Sequence, residues 1–197
     1  WGVFFSLYCK MKTRRNQRGK KNNKTRKIKI YSNSEYNSKD GMLTSVWGPS
    51  MWHVLHTISF NYPVKPSKEQ KSQYRDFILS LQHVLPCGKC RDNLKTNFMQ
   101  LPLLRKHMKN RGTFSKYVYD LHELINKMLN KTSGLTYSDV RERYEHFRAR
   151  CSQKSEMKIE IKTKENGCVH PLKGQKSKCI LQIVPDDTKC ESFQSKI

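Results

Sequence analysis

The sequence predicts an all-α protein, a four-helix bundle followed by a short fifth helix and a small carboxy-terminal appendage with β content. Between residues 47 and 150, four segments place apolar residues at helical spacing. Proline or glycine separates these segments. Strand-like alternation is nearly absent before residues 180–184. We expect three regions: a basic, disordered arm (1–45), the helical domain (46–151) and an extension containing cysteines (152–197).

The first helix is predicted to begin near Pro49 and to end at Tyr62, because the residue before a proline disfavours the α conformation. The second begins after Ser67, which forms a capping-box pattern with Gln70. Its apolar stripe consists of Tyr74, Phe77, Ile78, Leu81, Val84 and Leu85.

Pro86 breaks the second helix, so a third helix is predicted to restart at Cys87. The fourth helix is predicted over 114–129 with Thr113 as its N-cap, and the fifth follows Ser138. The fourth helix buries a stripe formed by Phe114, Tyr117, Val118, Leu121, Ile125 and Met128.

The formal net charge of +23 is concentrated near the amino terminus. Between Lys10 and Lys29 there are eleven lysines or arginines and no acidic residue. Such a run buries too little apolar surface to fold by itself, so it is either a solubilising tail or a non-specific contact for nucleic acid. No secretion signal and no membrane-spanning segment is evident, since no apolar run approaches 18 residues.

Of the seven cysteines, only Cys87 and Cys90 are two residues apart. At a helix start, unpaired N–H groups stabilise a thiolate and favour disulfide exchange. A zinc site needs a further pair of close ligands, and none is evident, so no metal site is predicted. A thioredoxin-like motif needs flanking βαβ units, whereas helices flank this pair. The spacing therefore favours a redox centre, which requires an electron acceptor.

Two polar pairs indicate what the acceptor is. His56 follows Trp52 by four residues, and Asn126 follows His122 by four, so each pair shares a helix face. Each pair by itself is typical of polar side chains that are hydrogen-bonded within a protein core. Together, beside a redox pair, an aromatic ring, two imidazoles and an amide are suited to hold a flavin between helices.

The stretch WGPSMWHVLHTISFNYP, then CGKC and HELINKMLNK, resembles the flavin-linked sulfhydryl oxidases of the Erv/ALR family. Together with the ending RYEHFRARC, it is most similar to the versions encoded by large cytoplasmic DNA viruses. The resemblance implies an FAD-binding homodimer that oxidises protein dithiols and passes the electrons to O₂, giving H₂O₂. It also implies a location in the host cytoplasm or the virion.

The resemblance assigns roles residue by residue. Cys87 would exchange with substrate thiols, and Cys90 would lie next to the flavin ring. The FAD contacts would be Gly48, Trp52, His56, Tyr62, His122, Asn126, Lys131, Arg143 and Tyr144.

The chain departs from the family pattern at three places. Pro49 and Glu123 replace the arginine and asparagine found in many members. Tyr119 and Tyr137 stand approximately where cellular members have a structural disulfide, so we expect that disulfide to be absent; contact between the two tyrosines could partly replace its packing. A shuttle pair could come from Cys9, Cys151, Cys168, Cys179 or Cys190, or these cysteines could serve only structure.

The alternative function is a basic nucleic-acid-binding or scaffold protein whose Cys-x-x-Cys pair is structural. The clustered lysines and arginines support binding of this kind, but no recognised reader motif accompanies them.

Overall fold

The computed structural model describes residues 32–149 and residues 168, 171, 172 and 179. Its described part contains six α-helices and one 3-10 helix, Arg105–Met108, which precedes the fifth α-helix. The α-helices are α1 (Asn33–Tyr36), α2 (Thr44–Phe60), α3 (Lys68–Val84), α4 (Gly88–Gln100), α5 (Arg111–Met128) and α6 (Tyr137–Glu145). The predicted all-α bundle is confirmed: α2 to α5 are its four helices, and α6 is the short fifth.

The helix α2 begins earlier than the sequence predicts. Pro49 lies inside it, and the helix begins at Thr44. The preceding chain is anchored, since the N–H of Met42 donates to Pro86 O at 2.7 Å and Trp47 Nε1 donates to Met42 O at 3.0 Å. These contacts favour an extra helical turn before the proline. Helix α1 and the first two residues of α2 thus lie within the segment predicted as a disordered arm (1–45).

Side-chain caps begin all five other described α-helices, and those of α3, α5 and α6 can be compared with the predicted caps. The predicted capping box of Ser67 and Gln70 is confirmed at α3. At α5 the N-cap is Asn110 rather than Thr113, and Thr113 is its partner in the box. At α6 the N-cap is Thr136 rather than Ser138, because Thr136 exchanges hydrogen bonds with Asp139. Both predicted caps were therefore placed too late in the chain.

The main core lies where α2 packs against α5 and α3 packs against α4. Its buried members are Leu55, Tyr62, Ile78, Leu81, Leu94, Phe98, Leu103, Met108, Phe114, Tyr117, Val118 and Leu121. A second cluster of Phe60, Val140 and Tyr144 fixes α6 against the end of α2.

Two arginines hold the carboxy-terminal end of α2. Arg148 Nη2 donates to Phe60 O at 2.9 Å, and Arg111 Nε donates to Tyr62 O at 2.7 Å. Carbonyls at a helix end have no partner within the helix, so these bonds satisfy them. Tyr119 and Tyr137 are in contact, with ring centroids 5.8 Å apart.

The stripe predicted for α3 is only partly buried. Ile78 and Leu81 are in the core, but Phe77 is 40% exposed and Val84 is 66% exposed. These two residues lie on a face of α3 that the other described residues leave open.

The carboxy-terminal extension meets the bundle at one described position. Leu172 N donates to Arg148 O at 2.8 Å, and Ala149 and Pro171 form an antiparallel bridge. Cys168 is disulfide-bonded, whereas Cys179 is free and exposed. The strand-like segment 180–184 lies outside the described residues. Across residues 32–149, no helix combines the length and apolar character needed to cross a bilayer.

Candidate active site

The predicted redox pair lies at the amino-terminal end of α4. Cys87 is its N-cap, and its sulfur is disulfide-bonded to that of Cys90. The N–H of Cys90 donates to Cys87 Sγ at 3.2 Å, so the helix start supplies the donor expected to stabilise a thiolate. Both cysteines are half-buried.

One ridge of α2 leads away from this disulfide. Thr44, Gly48, Trp52, His56 and Phe60 follow each other at intervals of four residues, so they lie on one side of the helix. Thr44 Oγ1 is 3.5 Å from Cys90 Sγ. Trp52 is eight residues further, about 12 Å along the axis. Gly48 lies between these points and leaves a gap in the ridge.

The middle of the ridge faces α5 through two buried imidazoles. His56 Nε2 and His122 Nδ1 are 2.9 Å apart, so one ring donates and the other accepts. The indole of Trp52 stacks on His122 with a centroid distance of 3.9 Å and an interplanar angle of 6°. The structure thus brings together three residues that the sequence placed on two separate helices.

His56 carries an orphaned polar atom. Its Nδ1 is buried and has no hydrogen-bond partner in the described structure. A buried polar atom without a partner costs about 1–3 kcal/mol, and native proteins rarely leave one. A ligand bound against this face would supply the missing donor or acceptor.

Tyr144 closes the other side of the cluster from α6. Its hydroxyl is 3.1 Å from His53 Nδ1, and its ring stacks on Phe60 at 5.2 Å. The centroids of Tyr144 and His56 are 5.4 Å apart. Tyr144 therefore belongs to the ring cluster, and His53 is an additional member; the assignment of Tyr144 as a cofactor contact stays a prediction.

Burial keeps both central imidazoles neutral. It lowers the pKa of His56 to about 3, helped by the nearby His122, and lowers the pKa of His122 to about 4. The cluster therefore presents uncharged, polarisable rings across the physiological range, which suits a neutral heterocycle better than an anion.

This burial predicts that the flavin-free protein loses stability as the pH falls from 7 to 5. The unfolded chain binds protons on these histidines below about pH 6.5, whereas the folded chain does not, so unfolding becomes easier by roughly 2 kcal/mol for each histidine. We expect the Tm to fall by on the order of 10 °C. Glu145, whose pKa is lowered by its hydrogen bond from Arg148, contributes to this loss of stability only below about pH 4.5.

Thermal melts of the double variant His56→Leu, His122→Phe test this prediction. Its Tm should change less with pH than that of the wild type, whereas His83→Asn, at an exposed position, should follow the wild type. Equal slopes in all three proteins would contradict the assignment.

The remaining residues predicted to contact the cofactor differ in where they lie and how deeply they are buried. Tyr62 is fully buried in the main core, where its hydroxyl donates to Met108 O at 3.0 Å and its ring packs on Tyr74 and Phe114. Its side chain lies in the main core, outside the ring cluster, and its assignment as a cofactor contact stays a prediction. The half-buried Asn126 donates from Nδ2 to Glu123 Oε1 at 3.0 Å.

Lys131 and Arg143 have exposed side chains. The backbone N–H of Lys131 donates to Asn126 O at 2.8 Å, which places Lys131 beside the end of α5. Arg143 lies on α6, next to Tyr144. Their assignment as cofactor contacts stays a prediction.

Asn97 was missed by sequence reasoning. It is 2% exposed, and its Nδ2 lies 3.9 Å from the sulfur of Met128 at the end of α5. It follows Cys90 by seven residues, two turns along the same face of α4, and this spacing was the available signal. Among the described residues, no group of three or more His, Cys, Asp or Glu side chains is arranged to hold a metal ion.

Comparison with known proteins gives a consistent result. Residues 49–157, more than half of the chain, match the model of the Erv1 / Alr family. A probable FAD-linked sulfhydryl oxidase of Acanthamoeba polyphaga mimivirus is 34% identical over 99 residues, which cover 50% of this chain and 68% of that protein. An FAD-linked sulfhydryl oxidase of Arabidopsis thaliana is 30% identical over 87 residues, covering 43% of this chain and 42% of the plant protein.

Among solved structures, the yeast Erv1 core covers 61% of this chain and 95% of its own, with 20% identity and a TM-score of 0.47. This likeness is too low to support an argument, and the helical fold is established by the described helices themselves.

Proposed function

Because the chain belongs to the Erv1 / Alr family, we propose that it is an FAD-dependent thiol oxidase that forms disulfides in protein substrates. Two electrons from a substrate dithiol would pass through Cys87 and Cys90 to FAD and then to O₂, which is released as H₂O₂. The observation that carries the proposal is the disulfide at the start of α4, touching the same ridge of α2 that bears Trp52 and His56.

The chain's own residues account for the thiol chemistry. Cys87 at the N-cap is proposed as the sulfur that a substrate thiolate attacks, since the helix start stabilises the thiolate that exchange produces. Cys90 is the leaving sulfur, and its contact with Thr44 places it on the side of the α2 ridge. Electrons that reach Cys90 therefore arrive at the Thr44 end of the α2 ridge, about 12 Å along the helix axis from Trp52.

The residues present fit a flavin. His56 Nδ1 offers an unused hydrogen-bonding atom, Trp52 and His122 offer a flat stack, and Gly48 leaves open space between that stack and Cys90. When bound, FAD supplies the two-electron acceptor that the disulfide alone lacks. Trp52, His56, His122, Asn126 and Tyr144 are the residues we propose to hold it, with Lys131 and Arg143 at its exposed edge.

The substitution Gly48→Ala is expected to have opposite effects on the flavin-free protein and on flavin binding. A Cβ at Gly48 would meet only the Thr44 methyl group, at 3.4 Å, and alanine is favoured over glycine in a helix by about 1 kcal/mol. The flavin-free variant should therefore be at least as stable as the wild type. The same methyl group would occupy the proposed flavin space and weaken FAD binding on the order of tenfold, as overpacking does.

Thermal melts of the flavin-free proteins and fluorescence titrations with FAD measure the two effects separately. Ser45→Ala, at an exposed position in the same helix, is the matched control and should change neither quantity greatly. If Gly48→Ala binds FAD as tightly as the wild type, the flavin does not lie against this glycine.

Oxygen consumption tests the function itself. The purified protein, supplied with FAD, should consume O₂ with dithiothreitol or a reduced protein as the electron donor, and should release one H₂O₂ for each disulfide formed. A protein that binds FAD but consumes no O₂ with any dithiol would refute the proposed function.

We propose that two chains associate as a homodimer through the open face of α3. Phe77 and Val84 are large apolar side chains on that face, and their exposure supports burial against a second copy. Sedimentation of the wild type and of Phe77→Asp, Val84→Asp tests this, since the variant should be monomeric. Nucleic-acid contact through the basic arm concerns residues outside the described part, and nothing in the bundle favours it as the function.

A further inference from the structure

The first turn of α2 touches the redox pair directly. Thr44 is the first residue of the helix, and its hydroxyl oxygen lies 3.5 Å from the sulfur of Cys90, within hydrogen-bonding range for sulfur. The two residues are 46 positions apart in the chain, so the fold brings the first residue of α2 to the first turn of α4.

A short strap, residues 41–43, holds this turn in place independently of Thr44. A Cβ at Gly41 would lie 2.8 Å from Pro86 O and 2.9 Å from the Cα of Cys87, so only glycine fits this close approach. The N–H of Met42 donates to Pro86 O at 2.7 Å, and Met42 O accepts from the indole of Trp47. These contacts fix the strap to Pro86 and Cys87 on one side and to Trp47 of α2 on the other.

Resting on the role of Cys90 in the proposed function, we propose that Thr44 is a positioning residue whose hydroxyl donates a hydrogen bond to Cys90 in the reduced protein. A thiolate is a much stronger acceptor than a disulfide sulfur, so the bond strengthens when the disulfide is reduced. Thr44 therefore favours the reduced form and makes the pair a stronger oxidant of its substrates.

The hydrogen bond from Thr44 acts at the step of thiol–disulfide exchange that releases the Cys90 thiolate. One thiolate of the substrate dithiol attacks Cys87 Sγ, which breaks the Cys87–Cys90 bond and releases Cys90 as a thiolate. The second substrate thiolate then attacks the substrate sulfur of the mixed disulfide and releases Cys87 as a thiol. In sum, one dithiol and the Cys87–Cys90 disulfide give a substrate disulfide, a Cys87 thiol, a Cys90 thiolate and one proton. Two electrons have moved to the cysteine pair.

The test is the equilibrium of the Cys87–Cys90 pair with glutathione redox buffers, measured anaerobically on the full chain with its bound flavin. Differential alkylation and mass spectrometry of the peptide containing both cysteines report the reduced fraction of this pair alone. In Thr44→Val, which keeps the shape and removes the hydroxyl, the equilibrium constant for reduction should fall about tenfold, equivalent to a potential about 30 mV more negative. Thr44→Ser, which keeps the hydroxyl, and the neighbouring control Ser45→Ala should stay within about twofold of the wild type.

Gly41→Ala provides a second, independent disturbance. Because its Cβ displaces the strap and with it Thr44, this variant should shift the equilibrium in the same direction as Thr44→Val. The redox equilibrium of the double variant should shift no further than that of Thr44→Val alone, because both changes remove the same hydrogen bond from Thr44 to Cys90.

The proposal is overturned if Thr44→Val lies within twofold of the wild type, or if Thr44→Ser shifts as far as Thr44→Val. The proposed function is tested separately: it is refuted if the protein consumes no O₂ with a dithiol. The glutathione equilibrium does not depend on that turnover, so the two failures are distinguishable.

Discussion

Replacing Cys90 by serine is expected to abolish thiol oxidation while FAD stays bound. Serine cannot form the disulfide with Cys87, so electrons from a substrate dithiol have no path into the ring cluster. We expect O₂ consumption with dithiothreitol to fall by at least about 10³-fold, the scale seen when an essential nucleophile is removed. The ring cluster on α2 and α5 does not involve this sulfur, so flavin content should be retained.

Cys87→Ser should show the same loss, and Cys179→Ser is the matched control. Cys179 is free and exposed, so its replacement should leave turnover with a small dithiol unchanged. Oxygen-electrode traces and visible spectra of the three variants measure activity and flavin content together. Substantial turnover in either Cys87→Ser or Cys90→Ser would show that the redox centre lies elsewhere.

The second large effect is expected on flavin binding, from Trp52→Phe and Trp52→Ala. The indole stacks nearly parallel to His122, and stacking of a heterocycle on an aromatic ring contributes about 1–3 kcal/mol. Trp52→Ala should therefore weaken FAD binding about 5- to 150-fold, and Trp52→Phe should lie between it and the wild type. Phenylalanine retains most of the buried apolar volume, which keeps the comparison independent of a folding defect.

Fluorescence titration with FAD gives the dissociation constants, and far-ultraviolet circular dichroism checks that the helices persist. Val54→Ala, at a residue 46% exposed on the same helix, is the control and should bind FAD normally. Unchanged affinity in a folded Trp52→Ala protein would place the flavin away from the ridge of α2.

Helices α3 and α5 were predictable because each carries a clear apolar period, but the starts of α2, α5 and α6 were not predictable. Pro49 is a good first residue for a helix, yet the strap and Trp47 extend α2 to Thr44. Thr113 and Ser138 each have a hydroxyl suited to an N-cap, and a neighbouring residue takes that role in each case. Such choices depend on which of two adjacent side chains the packed chain can orient, and a single sequence does not contain that information.

The site was predictable where it follows helical spacing and unpredictable where it depends on packing between helices. The spacing of Trp52 and His56 placed them on one face, but the contact of His56 with His122 required α2 to lie against α5. Tyr62 follows the end of the same helix, and its position in the main core against Tyr74 and Phe114 also depends on packing between segments. The contact of Thr44 with Cys90 joins distant segments and has no sequence signal.

The most direct test of the central claim is an anaerobic spectrum. The purified protein should show the visible absorption of an oxidised flavin, and this absorption should bleach on addition of dithiothreitol and return on admission of air. In Cys90→Ser the band should be present but should not bleach on the same timescale. A colourless protein that takes up no added FAD, or a flavin that bleaches equally fast in the variant, would contradict the account.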